Sequence, residues 1–177
     1  MIFETERLIL REMDDGDFNA LYAMFSDPET MAHYPAPFGE AKVRDWIAWN
    51  KQNYADLGFG LWAVVLRETG EVIGDCGVTM QRIDGRIRPE IGYHIAKRHQ
   101  RKGYASEAAR RCRDFIFENT PFGALYSYMK YTNVGSYSTA VSIGLRKLGE
   151  YPDDVNGVTC FYAITRAEWE KLRAEGR

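Results

Sequence analysis

The alternation of apolar and polar residues predicts a chain built largely of short strands. Seven runs are apolar or alternate with a period of two, and turn residues separate most of them. The turns at 68–70 and 83–86 join three of these runs, 61–66, 72–80 and 90–95, as antiparallel neighbours. The predicted strands are 7–11, 61–66, 72–80, 90–95, 125–131, 145–150 and 158–165.

Five other segments have apolar residues at helical spacing. The first carries Phe18, Leu21 and Phe25 and stops at Asp27-Pro28. The others are predicted at about 40–54, 104–120, 134–143 and 166–173. The pattern predicts a mixed α/β fold, with helices on both faces of a mostly antiparallel sheet of about seven strands.

Length and composition indicate a single soluble domain, because 177 residues can bury a sizeable core and 45% are hydrophobic. Cys76, Cys112 and Cys160 are odd in number and widely spaced, which argues against a disulfide framework or a zinc site. The three histidines share no metal-ligand spacing, so no metal is expected. No signal peptide or spanning run is visible, and we expect a cytoplasmic protein without a membrane partner.

The stretch 90–113 combines a strand, a basic loop and an amphipathic helix. Gly103 allows close backbone approach or a positive φ, and Ala105 keeps the first helical turn free of bulk. The free N–H groups of a helix start carry a partial positive charge. This arrangement predicts an anion site, of the kind that binds phosphate.

Charge supports a compact ligand rather than a nucleic acid. Seven of the 23 Lys and Arg residues lie within 97–113, where Glu107 is the single acid, although the whole chain has a net charge of −2. A local cationic patch suits a polyanionic cofactor, whereas a DNA-binding face is more often broadly basic. The alternative is an ordinary solvated charge run. A P-loop is disfavoured because the Gly-Lys-Ser/Thr ending is missing.

The pattern Gln100-x-x-Gly103-x-Ala105 after a strand resembles the acetyl-coenzyme A loop of the Gcn5-related N-acetyltransferases (GNAT). The run EIGYHIAKRHQRKGYASEA resembles the ribosomal-protein N-terminal acetyltransferase branch. The resemblance implies one N-acetyltransferase domain over 1–177, with the acetyltransferase fold and acetyl-CoA as cofactor. It assigns cofactor contacts to Gln100, Arg101, Lys102, Gly103, Tyr104 and Ala105, and to the strand end at His94 and Ile95, where the Ile95 N–H would meet the thioester carbonyl.

A second matching region begins at Asn133 and resembles the Asn-x-x-Ser helix start of the family, with a Gly144-Leu145 step after it. By this resemblance Asn133 and Ser136 contact the cofactor. Asparagine is also a good helix N-cap, and the two roles are compatible.

Catalytic roles are assigned by the same resemblance. Glu90 is the expected base, directly or through water; the alternative is a solvated residue at a strand start. Many family members carry a tyrosine seven positions after the asparagine, but Ala140 stands there. Ser136 is then the expected proton donor, with Tyr137 next, although Ser136 could serve as a helix cap. A second carboxylate of that branch has no clean match; Glu150, Asp153 and Asp154 stay open.

Aromatic residues of the first half could line an acceptor pocket beside Glu90. We expect Tyr34, Phe38 and Trp62 there, with Tyr34 at the rim and Trp46 in the core. The predicted function is transfer of an acetyl group to a primary amine by direct attack, in a monomer or homodimer without a nucleic-acid partner. The acceptor, a small-molecule or peptide amine, stays open. The rival function is a non-catalytic acyl-CoA sensor.

Overall fold

The structure is a computed structural model that describes residues 2–176. Its eight strands form one sheet in the order β1-β2-β3-β4-β5-β6-β8-β7. All neighbours are antiparallel except β5 and β6. The strands are β1 (Ile2–Glu4), β2 (Leu8–Arg11), β3 (Leu61–Leu66), β4 (Val72–Ile83), β5 (Arg86–Ile95), β6 (Ala124–Lys130), β7 (Arg146–Asp153) and β8 (Gly157–Thr165).

Five helices cover the two faces of this sheet. They are α1 (Phe18–Phe25), α2 (Glu40–Leu57), α3 (Tyr104–Asn119), α4 (Val134–Ser142) and α5 (Arg166–Ala174). One core cluster joins apolar residues of α3, α4 and α5 to the sheet, and a second joins α1 and α2 to β3 on the opposite face. The two-layered cover arises because the buried strands are apolar on both faces.

The predicted fold class is confirmed, with one additional strand. The three-residue β1 pairs with β2 through Phe3 and Leu10. So short an edge strand carries too few residues to show alternation. The β4–β5 hairpin is also longer than predicted, because pairing continues from Met80↔Pro89 out to Ile83↔Arg86.

The strands β5 and β6 touch at a single paired position, Glu90↔Tyr126. Beyond it they diverge, because β5 continues to pair with β4 as far as Ile95↔Gly74, whereas β6 pairs along its whole length with β8. The edge of β5 after Glu90 therefore has no ladder partner on the β6 side. Backbone groups at such an edge require another partner, such as water or a ligand.

Trp62 lies in the core and not in an acceptor pocket. Its side chain is 0% exposed and makes edge contacts to Phe3 and Phe115, with ring centroids 4.8 and 5.5 Å away. The predicted acceptor contact of Trp62 is wrong for a physical reason. The run 61–66 is apolar throughout, so the sequence does not reveal which face each residue takes. Among residues 2–176, no helix combines the length and apolarity needed to cross a bilayer.

Replacement of Trp62 by alanine should lower the free energy of unfolding by about 3–5 kcal/mol, because it opens a cavity among packed rings. Trp49→Ala is the matched control: its side chain is 37% exposed, and we expect a loss well under half as large. Urea unfolding followed by circular dichroism measures both. Equal losses would contradict this account of the core.

Candidate active site

The loop between β5 and α3 has the backbone of an anion site. Gly103 has φ +84° and stands immediately before Tyr104, the first residue of α3, and Arg101 also has a positive φ of 62°. A residue with a side chain adopts this region reluctantly, so the glycine at 103 has a conformational reason. The helix start carries no side-chain cap, which leaves its N–H groups available to a bound anion.

The loop is held by side chains as well as by its own backbone. The Gln100 Nε2 donates to the carbonyl of Ile95 at 2.9 Å, and thereby joins the end of β5 to the loop. Arg7 donates to the Lys102 carbonyl at 2.9 Å and pairs with Glu107 through Nε and Nη2, both at 2.7 Å. The predicted cofactor residue Gln100 thus shapes the loop, which leaves its Oε1 for other contacts.

A cleft of about 400 Å³ lies over this loop. It is lined by Glu6, Arg7, Gly103, Ser106, Glu107 and Arg110. The Arg7 guanidinium stacks on the Tyr104 ring with its carbon 4.5 Å from the centroid. Arg101 and Lys102 are exposed and form no ion pair with any residue in the described range 2–176. These two cations of the loop therefore lie next to the helix start, beside the cleft.

The start of α4 provides the second predicted contact region. Asn133 accepts a hydrogen bond from the Ser136 N–H at 3.1 Å, so it is the N-cap. The Tyr93 hydroxyl donates to the Ser136 carbonyl at 2.6 Å, and the Ser136 hydroxyl lies 3.4 Å from the Tyr93 hydroxyl. This contact joins β5 to α4. Tyr137, the second predicted donor, is 37% exposed on the same helix.

Glu90 is buried, with 8% exposure, at the position where β5 and β6 meet. Burial, and then the charge of Asp75, raise its pKa to about 8, and a hydrogen bond with Thr79 opposes this. A Cβ at residue 92 would lie 3.2 Å from the Glu90 Oε2, so the carboxyl group lies over Gly92. Such a buried carboxyl beside a strand opening can exchange a proton near neutral pH.

The predicted acceptor aromatics lie on the α1–α2 side of β5. Tyr34 is 41% exposed, and its hydroxyl hydrogen-bonds the Nε2 of His94. Phe38 is only 6% exposed and stacks on Phe25 at 5.1 Å, so it supports Tyr34 from behind and does not line a pocket. Trp46 packs in the same cluster, as predicted.

His94 requires a correction. Its ring lies on the acceptor side, 12% exposed, with Nδ1 2.7 Å from Asp75 Oδ1. Alternate residues of a strand face opposite sides, so His94 shares a face with Glu90, whereas Tyr93 and Ile95 join the α3 cluster. Only the His94 backbone is therefore left for the predicted cofactor contact.

Two of the three carboxylates left open by the sequence, Glu150 and Asp153, have local structural contacts. Glu150 accepts from the Lys147 Nζ at 2.8 Å on edge strand β7. Asp153 accepts from the N–H groups of Val155 and Asn156 in the β7–β8 turn. No group of three or more His, Cys, Asp or Glu side chains in the described chain is placed to hold a metal ion.

The comparisons with known proteins identify the family. A family model described as "Acetyltransferase (GNAT) domain" matches residues 7–146, a span that includes the loop, Glu90 and α4. The chain belongs to the GNAT acetyltransferase family. The predicted resemblance is confirmed, and the family's chemistry is acetyl transfer.

Relatives and solved structures agree with membership of the GNAT family. The uncharacterised protein YkkB of Bacillus subtilis (strain 168) is 37% identical over 142 residues, 80% of this chain and 83% of that protein. The uncharacterised N-acetyltransferase p20 of Bacillus licheniformis is 32% identical over 148 residues, 82% of each. RimL, described as a ribosomal L7/L12 alpha-N-protein acetyltransferase in complex with coenzyme A, shares the fold at 15% identity, with a TM-score of 0.77 over 93% of this chain and 98% of that one.

Three residues of this GNAT site were missed by the sequence analysis. Arg7 lies just before β2, Asp75 in β4 and Tyr93 in β5, and the family resemblance assigned no role to any of them. The one available signal for Asp75 was its charge, because the rest of the run 72–80 has no charged residue. Buried charges are rare unless paired, so that aspartate indicated a partner.

The buried Glu90 should make the protein less stable as the pH rises. The pKa of Glu90 is raised from 4.5 to about 8, so the folded state binds more protons than the unfolded state between these values, and the free energy of unfolding falls with pH there. Glu90→Gln removes this slope. The stability of the variant relative to the wild type should grow by up to about 1.4 kcal/mol per pH unit from pH 5 to 8.

Glu168→Gln is the matched control for this measurement. Hydrogen bonds with Thr165, and then with Arg146, lower the pKa of Glu168 to about 2, so it stays ionised from pH 5 to 8. Its difference from the wild type should therefore be constant across that range. Urea unfolding at four pH values measures both variants, and a pH-independent difference for Glu90→Gln would refute the raised pKa.

Proposed function

We propose that the protein is an acetyl-CoA-dependent N-acetyltransferase that acts on a primary amine by direct attack on the thioester. The observation that carries the proposal is the position of Glu90. A buried carboxyl with a pKa raised to about 8 lies where β5 and β6 separate, next to a strand edge without a ladder partner. The family membership supplies the reaction class.

The cofactor would be held at two places. The diphosphate of coenzyme A fits the N-terminus of α3, where Gly103 leaves the backbone open and where Arg101 and Lys102 pair with no carboxylate of residues 2–176. The pantetheine arm fits the gap between β5 and β6, and its contacts in this proposal are the Ile95 N–H and the Asn133 side chain. The bound coenzyme A of RimL supports this assignment at the level of the fold.

Glu90 would act as the base. A lysine-like amine has a reference pKa of about 10.4 and an α-amino group one of about 7.7–8.0, so both reach the enzyme largely protonated at pH 7. A carboxylate with a pKa near 8 is matched to an α-amino group much better than an exposed glutamate would be. The attacking nitrogen becomes nucleophilic when Glu90 takes its proton, and rate should then rise with pH up to about 8.

Ser136 would supply the proton that the leaving thiolate takes, and its hydroxyl would recover a proton from solvent. Its hydroxyl is 3.4 Å from the hydroxyl of Tyr93, whose own proton is donated to the Ser136 carbonyl. Burial raises the pKa of Tyr93, which keeps the phenol neutral and able to donate. Tyr93 of β5 would thus assist Ser136 in proton donation, the role that Ala140 of α4 does not fill.

The acceptor is a primary amine of a protein N-terminus or of a small molecule. The Glu90 face carries the half-exposed Tyr34 and, on β6, Tyr128, whose pKa is raised to about 12 by burial and then by the Glu90 charge. Phenols and a carboxyl group together suit a cationic amine. The RimL neighbour makes a peptide amine worth testing first. The second candidate function is a coenzyme A sensor without turnover, favoured by the alanine at 140.

Acetyl transfer can be tested directly with acetyl-CoA and a panel of N-terminal peptides, polyamines, amino acids and aminoglycosides, with free thiol as the readout. We expect thiol release with at least one amine. Glu90→Gln should lower kcat by about 10²-fold or more. Glu68→Gln, in the turn between β3 and β4, is the exposed control and should leave kcat unchanged. Cofactor binding without thiol release for any amine would support the sensor.

The loop assignment has its own test. Gly103→Glu places bulk, charge and a disfavoured φ at the helix start, and we expect the affinity for coenzyme A to fall by at least about 100-fold. Gly123→Ala is the control, since a Cβ there meets nothing within 4 Å. Calorimetric titration measures both, with circular dichroism to verify folding. Unchanged affinity in Gly103→Glu would contradict the loop assignment.

A further inference from the structure

A chain of hydrogen bonds runs from the acceptor face into the core. The Tyr34 hydroxyl contacts the Nε2 of His94, and the His94 Nδ1 lies 2.7 Å from Asp75 Oδ1. The other carboxyl oxygen of Asp75 accepts from the Trp46 Nε1 at 2.8 Å. Asp75 is 0% exposed, so these two partners hold a fully buried carboxylate.

The hydrogen bonds fix the direction of this chain. A carboxylate only accepts, so the His94 Nδ1 must carry the ring proton, and the Nε2 of the neutral ring then accepts from the Tyr34 hydroxyl. An imidazole held in this tautomer by a buried carboxylate can take up a proton at Nε2, since the carboxylate stabilises the imidazolium that forms. Tyr34 is thus placed to pass a proton inward.

The proposed reaction requires a second proton acceptor. An acceptor that binds as an ammonium ion loses two protons while its nitrogen forms the amide bond. The C–S bond breaks, the thiolate takes one proton, and one proton leaves to solvent. Glu90 can hold one of the two protons, and after it the described part of β5 offers His94 as the next titratable group on the same face.

We propose that Tyr34, His94 and Asp75 form a proton relay in which Tyr34 is catalytic and His94 and Asp75 are positioning residues. Tyr34 takes one proton from the acceptor nitrogen while it gives its own to His94 Nε2, and the imidazolium is held by Asp75 until the proton returns to solvent. This proposal rests on the acetyltransferase function proposed above.

The surroundings of His94 are mostly apolar. Phe25 of α1 and Trp46 of α2 contact its ring at 5.2 and 5.9 Å between centroids. The ionisable groups that face it are Asp75 from β4, Tyr34 from the α1–α2 loop and Glu90 along β5. The Lys42 ammonium of α2 lies behind the Phe38 ring, 3.9 Å from its centroid. Burial of its hydroxyl end, and then the charges of Asp75 and Glu90, raise the pKa of Tyr34.

The relay predicts a kinetic defect that depends on pH. Tyr34→Phe keeps the ring and removes the hydroxyl, and we expect kcat to fall by about 10²-fold at pH 6.5 while the KM for acetyl-CoA is unchanged. The loss of kcat should become smaller as the pH approaches the pKa of the acceptor amine. A larger fraction of the amine then binds in its neutral form and has only one proton to lose. Tyr22→Phe is the matched control, because this phenol of α1 stacks on Phe18 at 5.6 Å and lies outside both the relay and the acceptor face.

His94→Gln and Asp75→Asn should show the same pH-dependent defect. Circular dichroism identifies any variant that fails to fold, and such a variant is set aside in favour of Tyr34→Phe. A defect of equal size at every pH, or a change in KM alone, would overturn the relay and leave Tyr34 as a structural contact.

A measurement without turnover separates this proposal from the function on which it rests. Nitrogen-15 NMR of the wild-type histidines should show His94 in the Nδ1–H tautomer, and Asp75→Asn should abolish this preference. An Nε2–H tautomer in the wild type overturns the relay even if acetyl transfer is observed. A wild type that releases no thiol with any acceptor overturns the proposed function, whatever the tautomer.

Discussion

The separation of β5 from β6 is the constraint on which the rest of the site depends. A parallel pair with a single bridge, Glu90↔Tyr126, leaves one strand edge without a ladder. Unpaired backbone groups in a protein interior are costly, and they become useful where a ligand can pair with them. The opening also gives each face of β5 a separate environment. Tyr93 reaches α4 on one side, and Glu90 and His94 meet the acceptor aromatics on the other.

Two buried carboxyl groups on that second face are held in opposite ways. Asp75 has two hydrogen-bond donors, Trp46 and His94, which stabilise its charged form. Glu90 is buried with a hydrogen bond to Thr79, and the neighbouring charge of Asp75 favours its neutral form. The site thus places Glu90, a carboxyl group with a raised pKa, beside a fully hydrogen-bonded carboxyl group, and only Glu90 is left to exchange a proton with an acceptor.

The loop, the fold class and the strand order along the chain could be predicted because each has a local signal. The six residues 100–105 contain the pattern that places Gly103 between a strand and an amphipathic helix. The predicted start of that helix agrees with the observed start to within one residue. The burial of Glu90 had no such signal, since its neighbours Thr79 and Tyr126 lie in other strands of the sheet. Trp62 was misplaced for the related reason that an apolar run has no visible outer face. The burial of Glu90 and the position of Trp62 are both decided by tertiary contacts between segments that are distant in the sequence.

The connection between strand and helix is already ordered before any ligand arrives. The Gln100 side chain holds the Ile95 carbonyl, Arg7 holds the Lys102 carbonyl, and the turn at Lys97–His99 closes on its own backbone. The conformational entropy of this loop is therefore lost during folding, and a polyanion that binds there does not have to order it. Affinity for the cofactor then depends on contacts inside the protein as well as on contacts to the ligand: a substitution at Arg7 that removes its hydrogen bond to the Lys102 carbonyl would weaken binding by restoring disorder to the loop.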